Sequence, residues 1–342
     1  MKILKFSTLI LFAWFISMNV NGSRISKNIY KNFPVNKVQK LDINNKYGNI
    51  YIENDRTDSV IVSVDIWVEG NIDRSQRLLD NINVKVNLDG TTVVAVTTID
   101  NMLNGNNEFS IDYHISLPAD RDLVVVQKYG SVNMKDLFGK GTFEIKYGEI
   151  NGQKLLSPDL SMNIAYSKVK IEQIKDLSLV LHYSKFQLEK GNNLKVETRY
   201  SGMTIGECNQ IETDSRYDNY NILSINILTM NSMYTATTID KLNSKLSLIN
   251  GYGGFTVRMI PPGFESITIE NKYAGIKLGI AGDASYKLTG KSRYSDIKHP
   301  EGKLNKAHEN ASYEVHGTIG NSDNPKSSVD ILSSYGNVIL IP

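Results

Sequence analysis

The sequence predicts an all-β fold: a single-domain parallel β-solenoid, or β-helix, with rungs of about 17–21 residues and an N-terminal elaboration of one hairpin and one short helix. Three observations carry this reading. A tyrosine recurs at one phase, the apolar alternation changes parity at each tyrosine, and small or turn-forming residues punctuate the chain between copies. The recurring residues are Tyr129, Tyr147, Tyr166, Tyr183, Tyr200, Tyr217, Tyr234, Tyr252, Tyr273 and Tyr294, at steps of 18, 19, 17, 17, 17, 17, 18, 21 and 21. Tyr335 follows after 41, about two steps, and Tyr47 is an early outlying copy.

Side chains of a strand alternate between two faces, so apolar parity reports where the chain bends. Upstream, Leu177, Leu179 and Leu181 share parity with Tyr183, and Leu194 and Val196 with Tyr200. This places the tyrosines on the inward register, in a structural ladder. Downstream the apolar positions fall three and five residues later, as in Phe186 with Leu188 and Met203 with Ile205. A bend must therefore intervene at each tyrosine and the small residue after it, such as Gly130, Gly148, Ser184 or Ser201. Those glycines and serines are expected to take the unusual dihedrals or the close backbone approach.

One unit is then strand, corner, strand and return turn, with Lys190-Gly191-Asn192-Asn193 and Leu242-Asn243-Ser244 as return turns. Such a unit cannot bury its apolar face alone, whereas stacking makes a continuous interior. Each rung buries around four apolar side chains, worth ~1.5–3 kcal/mol apiece before conformational entropy is subtracted. Positions two before the tyrosine are often small and polar (Asn45, Thr198, Ser215, Ser232, Asn250, Asn271, Ser292, Ser333) and predict buried hydrogen-bonded ladders. An antiparallel sandwich would also show short strands and turns, but it does not require one tyrosine at one phase in ten units.

Residues 41–120 depart from the array and predict an N-terminal β cap. Val60, Val62, Val64, Ile66 and Val68 alternate as a strand, and Asp73 to Ile82 reads as a short helix capped by Asp73. Ile82 to Leu88 and Thr92 to Ile99 flank Asp89-Gly90, a hairpin signal. Phe109, Ile111, Tyr113, Ile115 and Leu117 alternate up to Pro118. The cap would protect an open sheet edge at the first rung. The expected division is a signal peptide at 1–22, a linker at 23–40, the cap at 41–120 and the repeat array at 121–342.

The first 22 residues read as an export signal, with Lys2 and Lys5 ahead of the apolar run Leu9 to Ile16 and a cut expected before Ser23. An uncleaved anchor is the alternative, but the apolar run is short for a membrane span. No cysteine follows that run closely to carry a lipid anchor. The mature product is expected to be exported to the periplasm, cell surface or medium, with no integral membrane segment.

These elements together resemble the bacterial exported "putative adhesin" domains of unknown function, β-solenoids similar to auto-transporter adhesin heads. The resemblance covers about residues 38–342. It rests on Lys46-Tyr47-Gly48-Asn49-Ile50, the helix and hairpin, Ile115-Ser116-Leu117-Pro118, and Leu123-Val124-Val125-Val126 leading into Lys128-Tyr129-Gly130-Ser131-Val132. It implies an exported solenoid and supplies no catalytic residue.

Charge and chemistry narrow the function classes. The chain has 38 Lys plus Arg against 36 Asp plus Glu, and removal of Lys2 and Lys5 leaves 36 of each sign. A neutral mature protein is not expected to bind nucleic acid. The single cysteine, Cys208, excludes an intramolecular disulfide and any multi-cysteine metal site, and reads as a small buried filler. Lys128, Lys146, Arg199, Arg216, Lys272 and Arg293 precede tyrosines and form a candidate surface-binding stripe for acidic glycans or phosphate-bearing polymers. Its bland counterpart is a solvated corner balanced by Glu172, Glu189, Glu207 and Asp240. The tyrosines as an exposed carbohydrate platform are the less favoured alternative to packing at the corner. His299, His308 and His316, with Glu301 and Glu309 nearby, read as scattered loop residues rather than a metal cluster. No catalytic, cofactor or metal residue is assigned. The leading function is a non-enzymatic adhesin-like binding or structural module of the cell envelope, whose partner would be an envelope polymer, glycan or surface protein. The rival is a β-helical polysaccharide lyase or glycoside hydrolase with carboxylates on adjacent rungs.

Overall fold

A computed structural model describes residues 23–55, 58–100 and 108–342; the expected signal peptide lies outside the described residues. The chain is a parallel β-solenoid whose strands hydrogen-bond rung to rung in one sheet system. In the regular part, the strands Lys168–His182, Lys185–Arg199, Gly202–Arg216, Asn219–Met233 and Ala236–Gly251 each run from two residues past one tyrosine to one before the next. Pairing is in register, with Lys168 opposite Lys185 and Lys185 opposite Gly202.

The return is tighter than a separate turn. In the strand ending before Tyr183, the inward residues are Val169, Ile171, Ile174, Leu177, Leu179 and Leu181, all at most 4% exposed. Two three-residue steps in that series, 171 to 174 and 174 to 177, mark two small corners within a continuously paired strand. This rung buries six apolar side chains, whereas the next buries four, Phe186, Leu188, Leu194 and Val196, with Thr198 and Gly191 at the other inward positions. Identical positions stack into columns, one of which holds Ile174, Gly191, Cys208, Ile225 and Leu242.

The main corner forms differently from the sequence expectation. All twelve column tyrosines, Tyr47 included, have positive φ between 50° and 61°. The tyrosine, not the small residue after it, takes the left-handed conformation, which costs a bulky L-residue ~1–2 kcal/mol. One left-handed residue interrupts the alternation, so a ring with inward parity turns outward. The eleven from Tyr129 to Tyr335 are 41–53% exposed, which corrects the inward assignment. The following residue faces in instead, and at the glycine corners its size is limited by the backbone of the preceding rung. A Cβ at Gly148 would stand 2.0 Å from the Gly130 carbonyl oxygen, and one at Gly253 2.0 Å from that of Thr235.

In the N-terminal region the expected hairpin and short helix are present, with two corrections. Strand Lys40–Lys46 lies between Thr92–Ile99 and the first half of Asp122–Leu137, and Ile50–Glu53 lies beside Glu108–Ser116 and the second half. The hairpin Ile82–Asp89/Thr92–Ile99 turns at Gly90, φ +57°. The helix is Ile72–Asn81, and its cap is Asn71, whose side-chain oxygen accepts from the Arg74 amide, not Asp73. The expected linker at 23–40 contains a twelve-residue strand, Ser23–Pro34, antiparallel to Ser59–Gly70.

The C-terminal end departs from simple chain order. Strand Ser327–Ser334 inserts between Ser266–Lys272 and Tyr286–Arg293, and Val338–Ile341 pairs with both Ile276–Ile280 and Ile297–Lys298. The Tyr335 rung thus sits between those of Tyr273 and Tyr294 rather than beyond them. The antiparallel hairpin Gly302–Glu309/Ser312–Ile319 closes the end against Tyr286–Arg293.

Candidate functional site

The left-handed corner leaves a backbone problem that the sequence solves repeatedly. The tyrosine amide bonds to the next rung, as Tyr200 N to Arg216 O at 3.1 Å, and the second residue bonds to the previous one, as Gly202 N to Ser184 O at 2.9 Å. The amide between them has no such ladder partner. Side chains of the following rung take it: Ser167 N donates to Ser184 Oγ (2.9 Å), Ser184 N to Ser201 Oγ (3.2 Å) and Ser201 N to Asp218 Oδ1 (2.6 Å). Asp218 is buried, and its second oxygen accepts from Thr198 Oγ1, Ser215 Oγ and the Arg216 amide at 2.6–2.8 Å. Four donors satisfy a carboxylate that has no ion-pair partner among the described residues.

The polar positions two before the tyrosine are buried as expected and link from rung to rung. Ser232 Oγ donates to Asn250 Oδ1 (2.7 Å), Asn250 Nδ2 to Asn271 Oδ1 (3.4 Å) and Asn271 Nδ2 to Ser333 Oγ (3.0 Å). This last bond crosses the insertion, joining residues 62 apart in sequence.

Above these ladders the tyrosines form an outer column. Ring centroids are 4.9–5.1 Å apart and planes lie within 1–14° of parallel, in the order Tyr47, Tyr129, Tyr147, Tyr166, Tyr183, Tyr200, Tyr217, Tyr234, Tyr252, Tyr273, Tyr335, Tyr294. Phe109 packs on Tyr47, and the Arg293 guanidinium lies 5.4 Å from the Tyr294 ring. Ring faces are consumed by neighbours; edges and hydroxyls face outward.

The basic row beside the column is interrupted, because Ala165, His182, Met233, Gly251 and Ser334 occupy its other rungs. Lys146 pairs with Glu144 (2.8 Å), Arg199 with Asp214 (2.7 Å) and Glu197 (3.4 Å), and Arg216 with Asp214 (3.8 Å). Lys128 lies over the Tyr129 ring at 5.1 Å. The balancing acids sit two residues ahead of the bases, not six or seven past the tyrosine. Glu207 and Asp240 pair instead with Lys190 and Arg258. Apart from the half-buried Arg199, whose guanidinium also donates to Thr198 O and Asp214 O, these are exposed pairs, each worth ~0–1 kcal/mol.

Two concavities flank the column's outer strands. One, of about 580 Å³, lies on the sheet after the corner, with Glu53, Lys135, Lys170, Glu172 and Glu189 around apolar Ile52, Met134, Ile171 and Leu188. Its three acids are exposed. The other, of about 650 Å³, runs beside Tyr166, Tyr183 and Tyr200 and is lined by Lys168, Lys185 and Gly202. Sequence reasoning missed both, because the residues that meet there are one rung apart and carry no short motif.

His308 and His316 lie on the closing hairpin rather than in a loop. His299 Nε2 is 2.9 Å from the Tyr313 hydroxyl, the His308 ring packs 4.6 Å from the Tyr313 ring, and Asn305 Nδ2 donates to His316 Nε2. Among the described residues no group of three or more His, Cys, Asp or Glu could hold a metal ion. Cys208 is 6% exposed, its thiol pushed up to about 12 chiefly by burial. No helix among the described residues is long and apolar enough to cross a membrane.

No protein-family model matches the chain, and no curated protein matches it. Solved structures do. A "putative cell adhesion protein" from Clostridium sporogenes has 9% identity over 92% of this chain and 99% of its own, TM-score 0.22. A "putative adhesin" from Parabacteroides distasonis has 10% identity over 92% and 97%, TM-score 0.33, and one from Bacteroides fragilis 13% over 92% and 97%, TM-score 0.23.

Proposed function

We propose that the chain is an exported, non-enzymatic adhesin-like binding or structural module of the bacterial cell envelope. One observation carries the reading: the outer surface repeats the same chemistry along a single axis at 4.9–5.1 Å, as a one-dimensional array suited to a long partner. Lys128, Lys146, Arg199, Arg216, Lys272 and Arg293 flank that array and would add contacts to a polymer or surface protein laid along it. The test is capture of envelope polymers and surface proteins by the full chain, together with a glycan array. Retention of a defined polymer without its cleavage supports the reading.

The acids and lysines around the 580 Å³ concavity favour a second reading, a polysaccharide lyase or glycoside hydrolase. New reducing ends or unsaturated products from uronate-containing or neutral polysaccharides, with no stable retention, would replace the first reading by the second.

A further inference from the structure

The trough beside Tyr166, Tyr183 and Tyr200 has a definite chemistry. Its floor is already satisfied: Ser167, Ser184 and Ser201 donate their hydroxyls to Ala165 O, His182 O and Arg199 O at 2.7–2.8 Å. Any ligand must therefore meet the walls. On one wall are ring edges and phenol hydroxyls, because the Tyr166, Tyr183 and Tyr200 rings stack at 5.0 Å with planes 2–3° apart and leave no face free. An aromatic edge is the positive part of the ring quadrupole.

On the other wall are Lys168 and Lys185, opposite each other in adjacent parallel strands. Among the described residues neither has a carboxylate within ion-pair distance, whereas the neighbouring Lys170 is paired with Glu149 at 3.1 Å. Lys170 also holds the Lys168 ammonium below the usual lysine range, first through their direct contact and then through charge; Glu149 opposes this and Lys185 adds to it. Glu149 stands opposite Lys168 in the preceding strand but is already paired with Lys170, so the Lys168–Lys185 wall keeps an excess of positive charge and, facing positive ring edges, favours an anion. The trough runs along the solenoid axis as far as Gly202, where an added Cβ would meet nothing within 4 Å.

We infer that this trough binds a linear acidic polysaccharide laid parallel to the solenoid axis, with successive carboxylates on Lys168 and Lys185 and sugar oxygens on the tyrosine hydroxyls. This rests on the reading of the chain as a polymer-binding module and names the polymer's chemistry. Sugar-ring stacking, the usual aromatic contribution to glycan binding, is not the mode, since the ring faces are occupied.

The test is calorimetric titration of the full chain with polygalacturonate, dextran sulfate and neutral dextran at low and physiological salt. Polygalacturonate is expected to bind and to weaken with salt, and neutral dextran not to bind. Lys168→Gln with Lys185→Gln should weaken polygalacturonate binding at least about tenfold. Gly202→Trp, which fills the trough from an open position, should do the same with an unchanged melting temperature. Wild-type affinity in both variants overturns the inference while leaving polymer binding elsewhere on the chain intact. Equal binding of neutral dextran, absence of polygalacturonate binding, or binding of dextran sulfate alone also overturns it.

Discussion

The left-handed tyrosine makes an unusual prediction at Tyr200. Its ring stacks on Tyr183 at 5.0 Å and on Tyr217 at 4.9 Å, while φ is +53°. Replacement by alanine removes two contacts of ~0.5–1.5 kcal/mol each and keeps the backbone strain, so Tyr200→Ala should destabilise by about 1–3 kcal/mol. Tyr200→Gly loses the same contacts but releases the strain, so it should be more stable than the alanine variant by about 1 kcal/mol. In ordinary strand conformation the order reverses, because glycine is ~0.5–1 kcal/mol worse than alanine there. Long repeat arrays need not unfold in one step, so the measurement is native-state hydrogen exchange of amides in residues 183–217, beside thermal melts. A glycine variant less stable than the alanine variant would refute the corner geometry.

Two further predictions use contrasts within the chain. Gly148→Ala should cost about 1–3 kcal/mol in a denaturant melt, since its Cβ meets a neighbouring carbonyl oxygen at 2.0 Å, whereas Gly202→Ala, with open space, should be neutral or slightly stabilising. Burial pushes the Cys208 thiol and the Tyr113 and Tyr220 phenols up to about 12, so the folded state keeps protons that the unfolded chain releases from about pH 8.5 for the thiol and about pH 10 for the phenols. Stability should fall as pH rises through this window toward 12, and Cys208 should resist thiol labelling until the chain unfolds; a midpoint constant from pH 8 to 11 would contradict this.

The period, the corner positions, the parity change and the buried polar ladder were all legible because each is a statement about alternation, and alternation survives stacking. What alternation cannot report is a dihedral angle. Tyr183 shares parity with Leu179 and Leu181, yet its φ of +50° turns the ring to the surface. The glycine or serine after most of the tyrosines suggested where strain would sit, but the Cβ contacts at Gly130 and Gly148 show that the glycines answer a close neighbouring backbone. Strand Ser23–Pro34 escaped notice because Lys27 and Lys31 alternate with Ile25, Ile29 and Phe33 on one face, which breaks the apolar pattern while discouraging edge-to-edge pairing. The 41-residue gap before Tyr335 gave spacing but not order, and strand order is set by which rung offers a matching edge.

The column explains why the same strain recurs in every rung. A single left-handed tyrosine costs about what one or two stacking contacts return, so an isolated copy would gain little. In a row, each interior ring has two partners and the balance turns favourable only as the row lengthens. Phe109 packs on Tyr47 at one end, while at the other the Arg293 guanidinium lies 5.4 Å from the Tyr294 ring beside a concavity lined by Tyr294, Glu309 and Ser312. Between its ends the column offers a partner only ring edges, because each interior ring is stacked on both sides. Selectivity must therefore come from the residues beside it, which vary from rung to rung while the tyrosine does not.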